Sequence, residues 1–241
     1  NSNGLLFTNT GIISLDNISL NSSNTTGYNS VQIKNDIIDN YGTIKFNKVN
    51  SYTTSYGKYI QNHENATTKI ESSTISNYVS TIINDNNFEI NNSDISFGGM
   101  YGNGTGLTNN EGKNLTISNS TIGTTLVNNG TYISNKNNYS QALTINSAGN
   151  LTSTSDTFNG TISNSGQTNL YEVIGNSSSN FGVTNNSSGI INMYSGTINS
   201  QITNSNTSTL NIYDGTITAP KENAIRGAIK EIEENSELNQ E

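Results

Sequence analysis

Cysteine and tryptophan are absent from this chain of 241 residues, and proline and histidine each occur once. Without cysteine there is neither a disulfide framework nor a thiolate metal site. Positive charge is also scarce. Lys and Arg number 10 against 18 Asp and Glu, the formal net charge is -8, and residues before 220 hold seven Lys and no Arg. Such a balance repels phosphate and argues against a nucleic-acid partner. Long apolar runs are missing too. The longest stretches resemble Gly4-Leu5-Leu6-Phe7, far short of the roughly 20 residues that cross a bilayer. No membrane insertion of this segment is expected.

What remains is dominated by uncharged polar residues. Asn, Ser and Thr number 46, 33 and 31, whereas Ile, Leu, Val and Phe together number only 53. An ordinary globular core of this size uses more apolar residues, so these must be deployed economically, as in a repeat protein.

A repeat is visible. Val183-Thr-Asn185 is followed by Ile191-Asn-Met193-Tyr-Ser-Gly-Thr-Ile198; 19 residues later Ile202-Thr-Asn204 is followed by Leu210-Asn-Ile212-Tyr-Asp-Gly-Thr-Ile217. The template is apolar-x-Asn, a variable turn, apolar-x-apolar, and a closing apolar residue. Its first position is read at Phe7, Ile38, Ile60, Ile82, Leu107, Leu126, Ile145, Ile162, Val183 and Ile202. Ser51 and Ser153 stand where an apolar residue is expected, and in the unit of Ile162 the partner of Leu170 is either Val173 or Ile174. The period of two within each piece places its apolar side chains on one strand face. A unit of about 20 residues cannot bury that face alone, but stacked units can, about 4.8 Å apart. The expectation is an all-β parallel β-helix of about ten coils over 1–219.

The third template position is Asn9, Asn40, Asn62, Asn84, Asn109, Asn128, Asn164, Asn185 and Asn204, with Ser147 as the exception. Stacked Asn side chains hydrogen-bond along a parallel stack, so these residues are expected to form a structural ladder. After Ala219 the composition changes: residues 220–241 hold 9 of the 28 charged residues. Ile225, Ala228, Ile229 and Ile232 follow helical spacing, and Pro220 suits a helix start. A short amphipathic helix over about 220–235, acting as a cap or linker, is expected.

An asparagine- and glycine-punctuated repeat of this kind, with motifs such as Leu126-Val-Asn-Asn-Gly130, Phe158-Asn-Gly-Thr-Ile162 and Ser195-Gly-Thr-Ile198, resembles bacterial surface β-helices. It looks like the passenger domain of type V autotransporters and the arrays of filamentous-haemagglutinin-like adhesins. The resemblance implies a right-handed β-helix displayed on, or secreted from, a bacterial cell.

Candidate chemistry is sparse. Twelve carboxylates precede residue 220, with Asp36/Asp39 and Glu89/Asp94 among the near pairs, and the one Arg is Arg226. General acid–base work needs paired groups with separated pKa values. No catalytic residue is assigned, and a non-enzymatic protein is expected. His63 has no second His or Cys to share a metal with, and it reads as a surface turn residue; no metal and no cofactor are expected. Phe97–Gly106 lacks the Asp of calcium repeats and the Lys of a phosphate loop, and reads as an excursion between coils.

Tyrosine is the residue type most suited to ligand contact. Tyr194 and Tyr213 share one template position and should stack outside, while Tyr52, Tyr56 and Tyr59 cluster. Exposed aromatics of this kind bind glycan or protein partners, and a host-surface glycan or protein is the expected partner. The leading reading is an extracellular adhesion or display rod. The alternative, a β-helix polysaccharide lyase or hydrolase, requires three or more carboxylates meeting on one lateral groove.

Overall fold

The computed structural model describes residues 7–22, 38–98, 106–176, 181–219, 225–226, 231–232 and 236–240. Short strands alternate with tight corners, and every described strand pairing is parallel. The chain is a parallel β-solenoid, an all-β fold with no helix among the described residues. None of these residues forms a helix long and apolar enough to cross a membrane.

Each coil contributes to three sheets. The first holds the apolar-x-Asn pieces, for example Phe7–Asn9, Leu126–Asn128 and Ile202–Asn204. The second stacks eleven strands, from Ile12–Asp16 to Glu231–Ile232. The third includes Asp94–Phe97, Thr121–Gly123 and Gly196–Ile198. The first and third sheets are joined by two long strands, Asn50–Asn62 and Thr74–Asn84, which run through the corner between them.

Register converts the sequence template into columns. Leu107, Leu126, Leu143, Ile162, Val183 and Ile202 stack in the first sheet, and each is at most 2% exposed. Leu115, Tyr132, Leu151, Thr168 and Ile191 stack in the second. The core is therefore a narrow axial column to which each coil adds a few side chains, which is why so few apolar residues suffice.

Asparagine forms the most regular of these columns. Nδ2 of Asn9, Asn40, Asn62, Asn84 and Asn109 donates to Oδ1 of the next Asn at 2.8–2.9 Å. Asn164 and Asn185 continue the pattern at 2.8 and 2.7 Å. The second amide hydrogen bonds a backbone carbonyl of the following coil, as from Asn185 to Thr209 at 2.9 Å. Oδ1 also accepts the N–H two residues on, as from Gly42 to Asn40 at 3.1 Å. Two donors and an acceptor oxygen are thus all used, and among side chains short enough to lie in a strand only Asn supplies that set. At Gly130 a Cβ would collide with the Lys113 and Asn110 carbonyl oxygens, so the glycine that follows the ladder lets the coils approach.

One register differs from expectation. The coil after Leu126 begins at Leu143, not Ile145, and Ile145 rather than Ser147 lies against Asn128. Ile145 is buried and Ser147 exposed. Both Leu143 and Ile145 thereby point inward, whereas the expected register would bury Ile145 and a serine, so the observed one buries more apolar surface. Asn128 donates instead to the Gly130 and Asn150 carbonyls at 2.9 and 3.2 Å.

The polar exceptions in the template are filled from elsewhere. Tyr59 is buried and its hydroxyl donates to Ser51 at 2.6 Å, where register shifts interrupt the long strand. Phe181 lies where a Cβ on Gly175 would sit. In the unit of Ile162, Val173 faces inward and Ile174 outward.

The tail departs from the expected helix. Its described residues are strands: Ile225–Arg226 pairs with the first sheet, Glu231–Ile232 with the second and Ser236–Gln240 with the third. Ile225, Ile232 and Leu238 are in register with Ile202, Ile212 and Ile217. The open edge of the preceding coil offers unpaired N–H and C=O groups, and this template outcompetes a single marginal helix. Residues 220–224, 227–230 and 233–235 lie outside the described residues, as do 23–37 and 99–105, the latter within the excursion expected at Phe97–Gly106.

Replacing Asn185 with Ala is expected to cost about 1–2 kcal/mol by leaving its ladder neighbours unsatisfied. Ser147→Ala is expected to stay within about 0.5 kcal/mol, as for an ordinary surface site. Urea denaturation of both variants checks the ladder and its register together.

Candidate functional site

Sequence reasoning placed ligand contact on tyrosines, and the structure separates them. Tyr59 leaves the candidate set: burial pushes its phenol up to about 12, partly offset by the Ser51 hydrogen bond. It is interior because the short inward Ser51 leaves space that an aromatic ring fills. Tyr52 is 52% exposed on the outer face of the third sheet. The side chain of Tyr56 lies outside the described set.

Tyr194 and Tyr213 do stack, with ring centroids 4.9 Å apart and an interplanar angle of 11°. A third ring precedes them: Tyr171 stacks on Tyr194 at 4.5 Å and 3°. Tyr171 was not singled out from sequence because its unit is irregular, although it occupies the same template position. Desolvation, and then the neighbouring Tyr194 hydroxyl, hold the Tyr171 phenol above its ordinary value. The stack has a chemical consequence. Both faces of Tyr194 are covered by its neighbours, so it presents edges and hydroxyl to a ligand, not a stacking face. Tyr171 keeps one face on the side of Thr154, its neighbour in register one coil earlier.

The corner between the second and third sheets supplies a feature that the sequence template did not mark. Each coil turns there through one left-handed residue: Asn17, Lys48, Ser72, Asn92, Asn119, Lys136, Ser155 and Glu172 have φ between 47° and 55°. Only three are Asn, the type that tolerates this region best. The next residue points inward and forms a second ladder. Ser73, Ser93 and Ser120 accept the backbone N–H of Val49, Ser73 and Ser93 at 3.0–3.1 Å. Asn137 and Asp156 accept those of Ser120 and Asn137 at 2.9 and 2.6 Å. The serine hydroxyls in turn donate to the carbonyl two residues back at 2.7 Å.

This corner carries two shallow, open depressions that adjoin one another. One stretch is lined by Ser72–Thr74, Asn92–Asp94, Asn119 and Thr121; the next shares Asn119 and Thr121 and continues through Lys136–Asn138, Ser155 and Thr157. Together they cross five rungs, about 19 Å at the usual strand spacing. Their walls are hydroxyls and amides, with one carboxylate, Asp94, and one cation, Lys136, among the lining residues. Tyr52 stands one coil before the first rung, in the neighbouring outward column. Tyr171 stands one coil after the last, on the opposite flank. Aromatic rings therefore bracket a polar surface. The hint in the sequence is the recurring polar pair after each second strand: Ser72-Ser73, Asn92-Ser93, Asn119-Ser120 and Lys136-Asn137.

The remaining candidates do not assemble into a reactive centre. Glu89 pairs with Lys69 at 2.7 Å on the second sheet, whereas Asp94 lies in the third, so the two carboxylates sit on different sheets. Asp36 lies outside the described residues. His63 is half-buried at the first corner, with Nε2 3.0 Å from Asp39 Oδ1 and its ring stacked on Tyr41 at 3.9 Å. Asp85 accepts from Gln61 and Asn110, each at 2.5 Å. No group of three or more potential metal ligands occurs among the described residues.

No known protein family, curated protein or solved structure matches the chain.

Tyr194→Ala removes both contacts of the tyrosine stack and is expected to cost about 1–3 kcal/mol, two aromatic pairs at the usual magnitude. Tyr52→Ala is expected to change stability by about 0.5 kcal/mol or less. Denaturation followed by near-ultraviolet circular dichroism distinguishes them, since the tyrosine band should weaken far more in the first variant.

Proposed function

We propose that the chain is a non-enzymatic extracellular rod of the bacterial-surface type, serving adhesion or display, and that it holds a neutral, hydroxyl-rich polymer such as a host-surface glycan along one corner. The observation that carries this reading is the shallow polar surface along this corner, where the outward side chains of Ser72, Thr74, Asn92, Asn119, Thr121, Asn138 and Ser155 present amides and hydroxyls over five rungs. Side chains of this kind hydrogen-bond sugars without requiring charge. Tyr52 and the open face of Tyr171 stand at opposite ends, where a sugar ring can stack. The near absence of charge from the lining argues against an ionic ligand, and a single lining carboxylate does not meet the requirement of a glycoside-cleaving site for a carboxyl pair.

The solenoid suits this role physically. Its columns repeat at strand spacing, so a linear ligand laid along the axis meets the same chemistry on successive coils. Many weak contacts then add, as in other extended repeat surfaces.

A glycan array run at low and high salt tests the reading. Binding is expected to be nearly insensitive to ionic strength, because steering by charge is a minor contribution. Asn119→Ala, Tyr52→Ala and Tyr171→Ala are each expected to weaken it, with Tyr194→Ala affecting it little. Depolymerisation of a bound polysaccharide, or binding that disappears on adding a chelator, would put the protein in a different class.

A further inference from the structure

Two adjoining coils bury a polar cluster in the axial core. Ser134 and Ser153 occupy inward positions in the strands Thr131–Asn135 and Asn150–Thr154, and both are at most 1% exposed. Around them lie the hydroxyls of Tyr132 and Tyr139, which contact one another, and the side chain of Asn137. Tyr139 is 2.6 Å from Ser134 Oγ, and its ring stacks on Phe158. The sixth member is Asp156, 0% exposed. Its carboxylate oxygens accept the Asn137 backbone N–H at 2.6 Å and the Ser153 hydroxyl at 2.5 Å.

The equivalent ladder position in earlier coils is neutral: Ser73, Ser93, Ser120 and Asn137. A carboxyl there meets no counter-charge. From its own coil it faces Ser153; from the coil before, Ser134, Asn137 and the phenols of Tyr132 and Tyr139. Val173 of the following coil adjoins it and is apolar. The nearest charged side chains on the adjoining coils, Lys136 and Glu172, occupy exposed left-handed corner positions. Hydrogen bonds from Ser134, Ser153 and Asn137 only partly replace the hydration that a buried carboxylate loses, whereas a protonated carboxyl loses less and can donate to the surrounding hydroxyls.

We propose that Asp156 is a proton-operated lock between the coils of Tyr132 and Leu151, closed when its carboxyl is protonated and loosened when it is ionised. Burial raises its pKa above the ordinary carboxylate value, and the hydrogen bonds from serine and Asn137 offset part of that rise. Below the unfolded carboxyl value both states are protonated and the stabilisation is fully present. As pH rises through the raised folded value, the unfolded chain already holds fewer protons and the stabilisation is lost. The joint is therefore tighter in mild acid than at neutral pH, the reverse of a carboxylate held by a salt bridge.

Calorimetric melting of the whole chain from about pH 4 to about pH 7.5, wild type against Asp156→Asn, tests this. The variant keeps the ladder acceptor and copies the residue one coil earlier. The melting temperature of the wild type relative to the variant is expected to fall by about 3–6 °C over that range, leaving the variant the more stable at neutral pH. Parallel curves for the two proteins would overturn the proposal. Carbon-13 carboxyl titration of the wild type gives an independent reading that does not depend on the variant folding. One aspartate is expected to titrate above the rest, and a set that all titrates near the ordinary value would equally overturn it.

Discussion

Parallel backbone pairing between successive coils is the constraint from which the other features follow. In the described strands the N–H and C=O groups bond the coil before or after, so strand residues lie in register with their equivalents about 4.8 Å away. A side chain must therefore be compatible with copies of itself. Like charges fail that test and amides, hydroxyls and aromatic rings pass it. This accounts for a composition rich in Asn, Ser and Thr and poor in charge. Lys69 faces Glu89 at 2.7 Å, Asp16 accepts from Asn47 at 2.7 Å, and the one like-charged pair in register among these strands, Lys45 beside Lys69, lies on the outer face of the second sheet.

The interior obeys the same rule but tolerates local exceptions, provided that a neighbour compensates. A serine at an inward position leaves space and an unsatisfied hydroxyl. Tyr59 answers both for Ser51, and Asp156 supplies an acceptor for Ser153. Thr168 and Thr68, inward in the second sheet, donate to the ladder oxygens of Asn164 and Asn62 at 2.9 Å. The two asparagine runs, Asn9 to Asn128 and Asn164 to Asn204, are separated by Ile145 alone. A missing rung interrupts side-chain bonding without interrupting the backbone pairing, which is why the solenoid passes through it.

The same repetition shapes the outer surface. A strained left-handed residue at each second corner, repeated over eight coils, folds the chain so that polar columns run along that corner. The three-tyrosine stack uses the same register for a different end. Its rings satisfy one another and stiffen the last coils, leaving Tyr171 at the edge with a face to spare. How much of each ring is left uncovered thus depends on whether it has an aromatic neighbour on one side or on both.

Periodicity alone determined the class of fold. Alternating apolar residues in short pieces, spaced near 20 residues, have no other economical way to bury themselves, and an Asn at the same offset in nearly every unit marks the ladder. Those signals are local and survive in one dimension. Three matters were decided only in three dimensions. Leu143 took the place read for Ile145, because register is chosen by the summed burial of a coil and not by its best-matching residue. The tail residues Ile225 and Ile232, seven apart, fit a helix face or two sheets of a coil equally well, and the waiting edge of the last coil selected the sheets. Tyr52 and Tyr59 read alike in sequence, yet one is on the surface and the other inside, because a vacancy beside Ser51 draws in an aromatic ring. Spacing along a chain records which residues can share a face; only packing against the adjoining coil decides which space remains to be filled.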